Sequence, residues 1–168
     1  MIVRDAAPDD APAIAGIYAH HVRHGTATFD TEPPPVEVWR EKVVEIRAKG
    51  WPMLVSEQDG AVTGYAYATQ FRDRPAYAAT CENSIYVAPH ALGRGIGTTL
   101  LGALIERAGK AGFEQMIAVI GGGESASVAL HAKLGFVHAG RMRDVGRKFG
   151  RLLDTVYMQC ALPRGPAA

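Results

Sequence analysis

Glycines at 93, 95 and 97 stand directly before a long apolar-periodic stretch, in "SIYVAPHALGRGIGTTLL" (Ser84 to Leu101). Glycine at every second position removes side chains from the loop and permits dihedrals other residues avoid. A loop of this kind that opens a helix leaves backbone N–H groups facing outward at the helix's positive end. The chemistry this predicts is phosphate binding. A nucleotide-binding P-loop would close on Gly-Lys-Ser/Thr, whereas this loop continues Gly97-Thr98-Thr99 without a lysine. A dinucleotide fold calls for G-x-G-x-x-G near the N-terminus and an acidic residue after the next strand. Here G-x-G-x-G lies in mid-chain and the next strand runs into "VIGGG". On the glycines alone, a phosphate seat and a tight strand–helix connection without a ligand fit equally well.

The elements that must position this loop follow from pattern. "IVRDA" reads as a first strand, after which Asp9 or Asp10 caps a helix with Ile14, Ile17 and Tyr18 at helical spacing. "HGTATFDTEPPP" is a loop, and a second helix runs from about Val36 to Lys49. "PMLVSEQDGAVTGYAYATQF" is a hairpin about an Asp-Gly turn, and "YAATCENSIYVAP" is the next strand. A helix from about Gly95 to Gly112 ends at a glycine, as helices commonly do. "QMIAVI" suits a strand buried on both faces, "SASVALHAKLG" a further helix, and "FVHAGRMRDVG" and "RLLDTVYMQCAL" two closing strands. The strand–helix–strand unit from Ile85 to Ile120 predicts a parallel crossover. The fold class is mixed α/β (α+β), a central mixed sheet flanked by helices. One domain is expected over residues 1–162, with a disordered tail over 163–168.

Composition narrows the function classes. The 168 residues suffice for one well-cored domain, and eighteen basic against seventeen acidic residues leave a net charge of +1. Such a balance points to neither a nucleic-acid nor a membrane-surface partner. "MIVRDAAPDDAPAIAGIY" lacks the pattern of a signal peptide, and no apolar run is long enough to span a bilayer. Cys81 and Cys160 make neither a disulfide scaffold nor a zinc site, and no cysteine stands near the histidines to complete one, so no metal is expected and the cytoplasm is the expected compartment.

Together, "V-x-P-x-x-x-G-x-G-x-G" after a strand and "S-x-x-x-H-x-x-x-G-F" beyond the buried strand resemble the GCN5-related N-acetyltransferase (GNAT) superfamily. The resemblance implies acetyl-CoA as co-substrate and a strand splayed open just before the glycine loop. It implies that the backbone of Ile85, Tyr86 and Val87 meets the pantetheine arm, while the run Leu92-Gly93-Arg94-Gly95-Ile96-Gly97-Thr98 cradles the pyrophosphate. Two positions depart from the family pattern. Leu92 stands where arginine or glutamine is usual, and Glu124 replaces the asparagine of an N-x-x-S motif whose Ser127 is kept.

Within that superfamily, "TATFDTEPP", "FRDRPAYAATCENSIYV", "AVIGGGESASVALHAKLGF" and "VGRKFGRLLDTVYMQ" resemble the phosphinothricin and methionine sulfoximine acetyltransferases. These enzymes acetylate the α-amine of small amino-acid analogues. An amine in water is mostly ammonium and must lose a proton before it attacks a thioester, which a nearby carboxylate can accept. By resemblance Glu82 is that general base and His131 an auxiliary acid or base, in a direct transfer. Cys81 should face the opposite side of the strand from Glu82, which disfavours an acetyl-cysteine. Arg72 and Arg74 would fork onto the α-carboxylate. Tyr77, Thr80, Phe29 and Glu32 would line the pocket, in an enzyme expected to be a homodimer. The alternatives are a protein or peptide N-acetyltransferase and a non-catalytic acyl-CoA-binding sensor.

Overall fold

The computed structural model describes residues 1–163. Its elements are β1 (Ile2–Asp5), α1 (Ala11–His24), α2 (Val36–Ala48), β2 (Met53–Gln58), β3 (Ala61–Gln70), β4 (Thr80–Val87), α3 (Ile96–Lys110), β5 (Gln115–Gly121), α4 (Ser125–Lys133), β6 (Val137–Lys148) and β7 (Arg151–Ala161). The strands form one seven-stranded sheet in the order β1-β2-β3-β4-β5-β7-β6. The β4–β5 pair is parallel and every other neighbouring pair is antiparallel. This is the mixed sheet the sequence predicts, with the crossover helix α3 joining the two parallel strands.

Helices cover both faces because the strands are apolar on both. On one face Tyr65 meets Trp39 of α2 and Tyr86 meets Tyr18 of α1, with ring centroids 5.4 and 5.1 Å apart. On the other, Gly64 leaves room for Leu100 of α3, and His131 of α4 reaches Asn83. Between them lie Ile14, Leu54, Tyr65, Leu100, Leu104 and Met116, all essentially inaccessible to water. Burial of that kind contributes roughly 1.5–3 kcal/mol per large side chain.

Local differences from the sequence reading have physical causes. Asp10 stands before α1 but makes no side-chain cap; its carboxylate accepts from Arg4 and from Ala7 N–H, all at 2.8 Å. The Arg4 guanidinium holds the Asp10 carboxyl below its ordinary range. The strand β6 continues through Arg147 and Lys148 to a turn in which Phe149 and Gly150 both have positive φ. Phenylalanine is an unusual residue for such a hairpin turn, so the sequence carries little sign of it there. Residues 164–168 of the expected frayed tail lie outside the described residues. No helix among the described residues is long and apolar enough to cross a membrane.

Candidate active site

The site arises where two parallel strands stop pairing. The strands β4 and β5 are in register from Thr80–Gln115 to Asn83–Ala118, and there the pairing ends although both strands continue. Along the other edge of β4, Phe71 N–H donates to Thr80 O and Ala88 N–H to Thr63 O, both at 2.9 Å. Strand alternation therefore turns the N–H and C=O groups of Ile85 and Val87 toward the gap. One of them has a partner: Val87 O lies 2.9 Å from His21 Nε2, whose N–H donates to it.

The gap is a cavity of about 250 Å³ lined by Glu82, Asn83, Ile85, Phe29, Gly121 and His131 among others. A second cleft of about 490 Å³ continues from it past Ile85, Val87 and His21 to the glycine loop and the start of α4. Leu92, Gly93, Gly95, Ile96, Gly97 and Thr98 line that cleft, with Glu124 and Ser127 opposite. Gly93 and Gly95 have φ of +73° and +78°, the left-handed region where a side chain costs about 1 kcal/mol or more. A Cβ at either position would meet nothing within 4 Å, so backbone conformation fixes these glycines and packing does not. The first amide of α3 with a helical acceptor is Thr99, which donates to Gly95 O. The amides of Ile96, Gly97 and Thr98 are left to a ligand, as an anion at a helix N-terminus requires. An edge of unpaired strand leading to such a helix start fits a long acyl carrier ending in a pyrophosphate.

Glu82 and His131 lie on opposite faces of β4. The Glu82 carboxyl shares its face with Ser84 and Tyr86, and Asn83 points to the α4 side. Burial pushes the Glu82 carboxyl up, an effect the positive charge of Arg72 partly offsets. His131 is 1% exposed, and burial pushes its imidazole down against the opposing influence of the Ser127 carbonyl. The buried Cys81 thiol is pushed up to about 12 and donates to Gln115 O at 3.5 Å, on the face away from Glu82.

The loop between α1 and α2 walls the gap and is pinned at several points. Tyr18 O–H donates to Asp30 at 2.6 Å while Thr28 O–H donates back to Tyr18 at 2.7 Å. The buried Lys148 Nζ donates to Thr28 O at 2.8 Å, and Thr26 O–H donates to Glu124 Oε1 at 2.8 Å. Glu124 thus holds the loop, which accounts for a carboxylate at that position. Phe29 is seated between Gly121 and Gly146: a Cβ on Gly146 would run into its ring, and one on Gly121 would come within 3.1 Å of it.

Other residues singled out from sequence lie farther from the gap. Arg72 is exposed with its guanidinium over the Phe71 ring, 4.2 Å from the centroid. Arg74, Tyr77 and Glu32 are exposed, and neither they nor the half-buried Thr80 line the two cavities. Asn83, His21, Tyr18 and Thr28 are brought to the site without having been foreseen. The alternation of β4 could have shown Asn83 beneath Glu82, but the others depend on how α1 is laid across the sheet.

Comparison with known proteins agrees with this geometry. Residues 14–136 match the model of the Acetyltransferase (GNAT) family. The chain is 50% identical over 165 residues to phosphinothricin N-acetyltransferase of Alcaligenes faecalis, covering 98% of this chain and 82% of that one. It is 41% identical over 162 residues to the L-methionine sulfoximine/L-methionine sulfone acetyltransferase of Pseudomonas aeruginosa, with 95% and 94% covered. Among solved structures, the phosphinothricin acetyltransferase of Sinorhizobium meliloti in complex with acetyl-CoA superposes with a TM-score of 0.94 at 45% identity, covering 99% of this chain and 91% of that one. The splayed β4–β5 pair and the glycine-opened α3 therefore belong to a member of the GNAT acetyltransferase family, an N-acetyltransferase whose acetyl donor is acetyl-CoA.

Proposed function

We propose that this enzyme acetylates the α-amine of a small amino acid or toxic amino-acid analogue of the phosphinothricin, methionine sulfoximine or methionine sulfone type, with Glu82 as general base. The observation that carries the reading is the placement of Glu82. Its carboxyl stands at the mouth of the β4–β5 gap, and burial raises its pKa toward the range in which a carboxylate takes a proton from an amine effectively. Relatives at 50% and 41% identity bear names for these substrates, which supports the class of acceptor.

Acetyl-CoA supplies an activated acetyl thioester. Ile85 and Val87 orient the arm along the strand edge, and the loop from Leu92 to Thr98, including Arg94, holds the phosphates with Glu124 and Ser127 facing it. Glu82 takes the proton from the acceptor ammonium, so that nitrogen attacks the acetyl carbon as the C–S bond breaks, and CoA leaves as the thiolate, which takes up the second proton that the nitrogen gives up in becoming an amide. Arg72, whose charge reaches Glu82, receives the α-carboxylate and Phe29 walls the acceptor, while Arg74, Glu32, Tyr77 and Thr80, which line neither cavity, are given no contact with it. His131 acts through Asn83, which it holds against the gap. The transfer is direct, because the only thiol near Glu82 faces away and is pushed up to about 12.

The enzyme works as a homodimer. Val137, Met142, Val145, Phe149 and Leu152 of the β6–β7 hairpin are exposed apolar side chains, more than a free sheet edge ordinarily shows. Two free, buried cysteines suit the reducing cytoplasm.

The test is CoA-thiol release from acetyl-CoA against phosphinothricin, methionine sulfoximine, methionine sulfone, ordinary amino acids and a peptide. Release with an amino-acid analogue that is lost in Glu82→Gln supports the reading. Release with the peptide alone moves the acceptor to a protein, and acetyl-CoA binding without release on any of them sinks this choice of acceptor. Sedimentation equilibrium should give twice the 17.9 kDa chain mass.

A further inference from the structure

We propose that Lys42 and Tyr67 form the subsite for the far end of the acceptor's side chain, selecting amino acids that end in an oxyanion or another oxygen-rich head. This rests on the reading of Glu82 as the residue that meets the acceptor amine.

A separate cavity of about 260 Å³ opens on the α1–α2 face of the sheet, lined in part by Lys42, Ile46, Tyr67, Thr69, Glu82 and Ser84. Glu82 and Ser84 also line the β4–β5 gap, so the two spaces share a wall at Glu82. The cavity falls below the roughly 300–1,000 Å³ of pockets for drug-sized ligands, which suits a small amino acid and leaves no room for a peptide.

Lys42 is held there by aromatic faces. Its Nζ lies 4.8 Å from the Trp39 ring centroid and 4.9 Å from that of Tyr67, and donates to Tyr67 Oη at 3.3 Å. No carboxylate among the described residues forms an ion pair with it. Glu45, the other acid lining this space besides Glu82, is bonded to Lys49 at 2.6 Å. An ammonium has three donors and the protein supplies one acceptor, so the rest of its valence faces the cavity. Accepting from Lys42 also leaves the Tyr67 hydroxyl proton free to point at a ligand.

Arg72 is near enough for its charge to act on the Glu82 carboxyl, and Lys42 lines the cavity whose wall Glu82 shares. An acceptor with its amine at Glu82 and its α-carboxylate toward Arg72 sends its side chain between Tyr67 and Ile46 to Lys42. A phosphinate there gains a hydrogen-bonded ion pair with the ammonium, a sulfone a hydrogen bond from it without the opposite charge, and a thioether next to nothing.

The experiment compares kcat and KM for phosphinothricin, methionine sulfone and methionine in the wild type, Lys42→Met, Lys42→Arg and Tyr67→Phe. Lys42→Met should lower kcat/KM for phosphinothricin by about 10- to 100-fold, chiefly through KM, for the sulfone by less than about 10-fold, and for methionine by less than about twofold. Lys42→Arg should recover most of the phosphinothricin loss. Tyr67→Phe, which removes only a hydroxyl, should keep the order with losses of about three- to tenfold. A wild-type substrate preference left unchanged in Lys42→Met, equal losses on all three substrates, or a loss in kcat alone overturns the subsite while leaving the proposed function standing. A wild type inert to all three overturns the proposed function and the subsite with it. If Lys42→Met fails to fold, Tyr67→Phe decides, its losses being expected to be largest for phosphinothricin and smallest for methionine.

Discussion

Asn83 Oδ1 and His131 Nε2 lie 3.2 Å apart, while His131 Nδ1 lies 2.7 Å from the Ser127 carbonyl oxygen. A carbonyl can only accept, so Nδ1 carries a proton and donates it. Burial drives the imidazole toward its neutral form, which leaves Nε2 without a proton to give Asn83. Asn83 Nδ2 is meanwhile buried without a partner. Turning the amide over resolves both, since Nδ2 then donates to Nε2 and Oδ1 faces the gap. His131 is thus a neutral acceptor with both nitrogens engaged, an arrangement that orients Asn83.

The first prediction concerns acid. A histidine whose folded pKa is depressed contributes stability that is present above its unfolded pKa of 6.5 and is lost as pH falls through the folded value. Wild-type Tm should therefore fall between pH 7 and 5 more steeply than that of His131→Gln. If His131 positions and does not titrate in turnover, His131→Gln lowers kcat about tenfold and leaves both limbs of the kcat/KM–pH profile in place. Loss of one limb in the variant would instead make His131 the acid or base.

The Glu82 carboxyl has the opposite sign. Its folded pKa is raised above 4.5, so the stability linked to its proton is full below that value and is lost as pH rises through the folded pKa. Glu82→Gln should remove about 100- to 10,000-fold from kcat and, at pH 7 to 8, raise Tm. The gain should vanish near pH 4. A variant that is less stable than wild type at pH 8 would mean that the native carboxylate is held by a partner.

The element order, the Asp59–Gly60 hairpin turn and the glycine-opened α3 were legible because each is set by neighbours in sequence: alternation, helical spacing, a left-handed turn residue. Asp59 and Gly60 indeed have φ of +53° and +78°. Glu82 and His131 were legible as candidates only through resemblance, and their placement on opposite faces of β4 follows from the sheet. Lys42 carried no signal, since a lysine on an amphipathic helix reads as a solvated side chain. It faces a cavity because α2 crosses the sheet over Tyr67, a packing relation between residues 25 apart. His21 is the same case, reaching Val87 O across 66 residues.

Gly146 and Phe29 give a third prediction. A methyl group at Gly146 would occupy the space of the Phe29 ring, which also lines the gap. Gly146→Ala should cost about 1–3 kcal/mol of stability by overpacking and raise KM for the acceptor. In a Phe29→Ala background the same change should cost less than about 0.5 kcal/mol. Additive effects in the double-mutant cycle would show that the two residues do not meet.

Glu124 joins two tasks that a single substitution separates. Its carboxylate accepts from Thr26 and fixes the loop that walls the gap, yet it also places a negative charge in the cleft that leads to the α3 N-terminus. Glu124→Asn should lower KM for acetyl-CoA about two- to fivefold at low salt, with the gain shrinking toward 1 M salt as the charge is screened. The same variant weakens the bond to Thr26 and should lose about 1–2 kcal/mol of stability. Thr26→Val breaks that bond while keeping the charge, so it should reproduce the stability loss without the gain in acetyl-CoA KM. If Thr26→Val also lowers that KM, loop position and not charge governs the cleft.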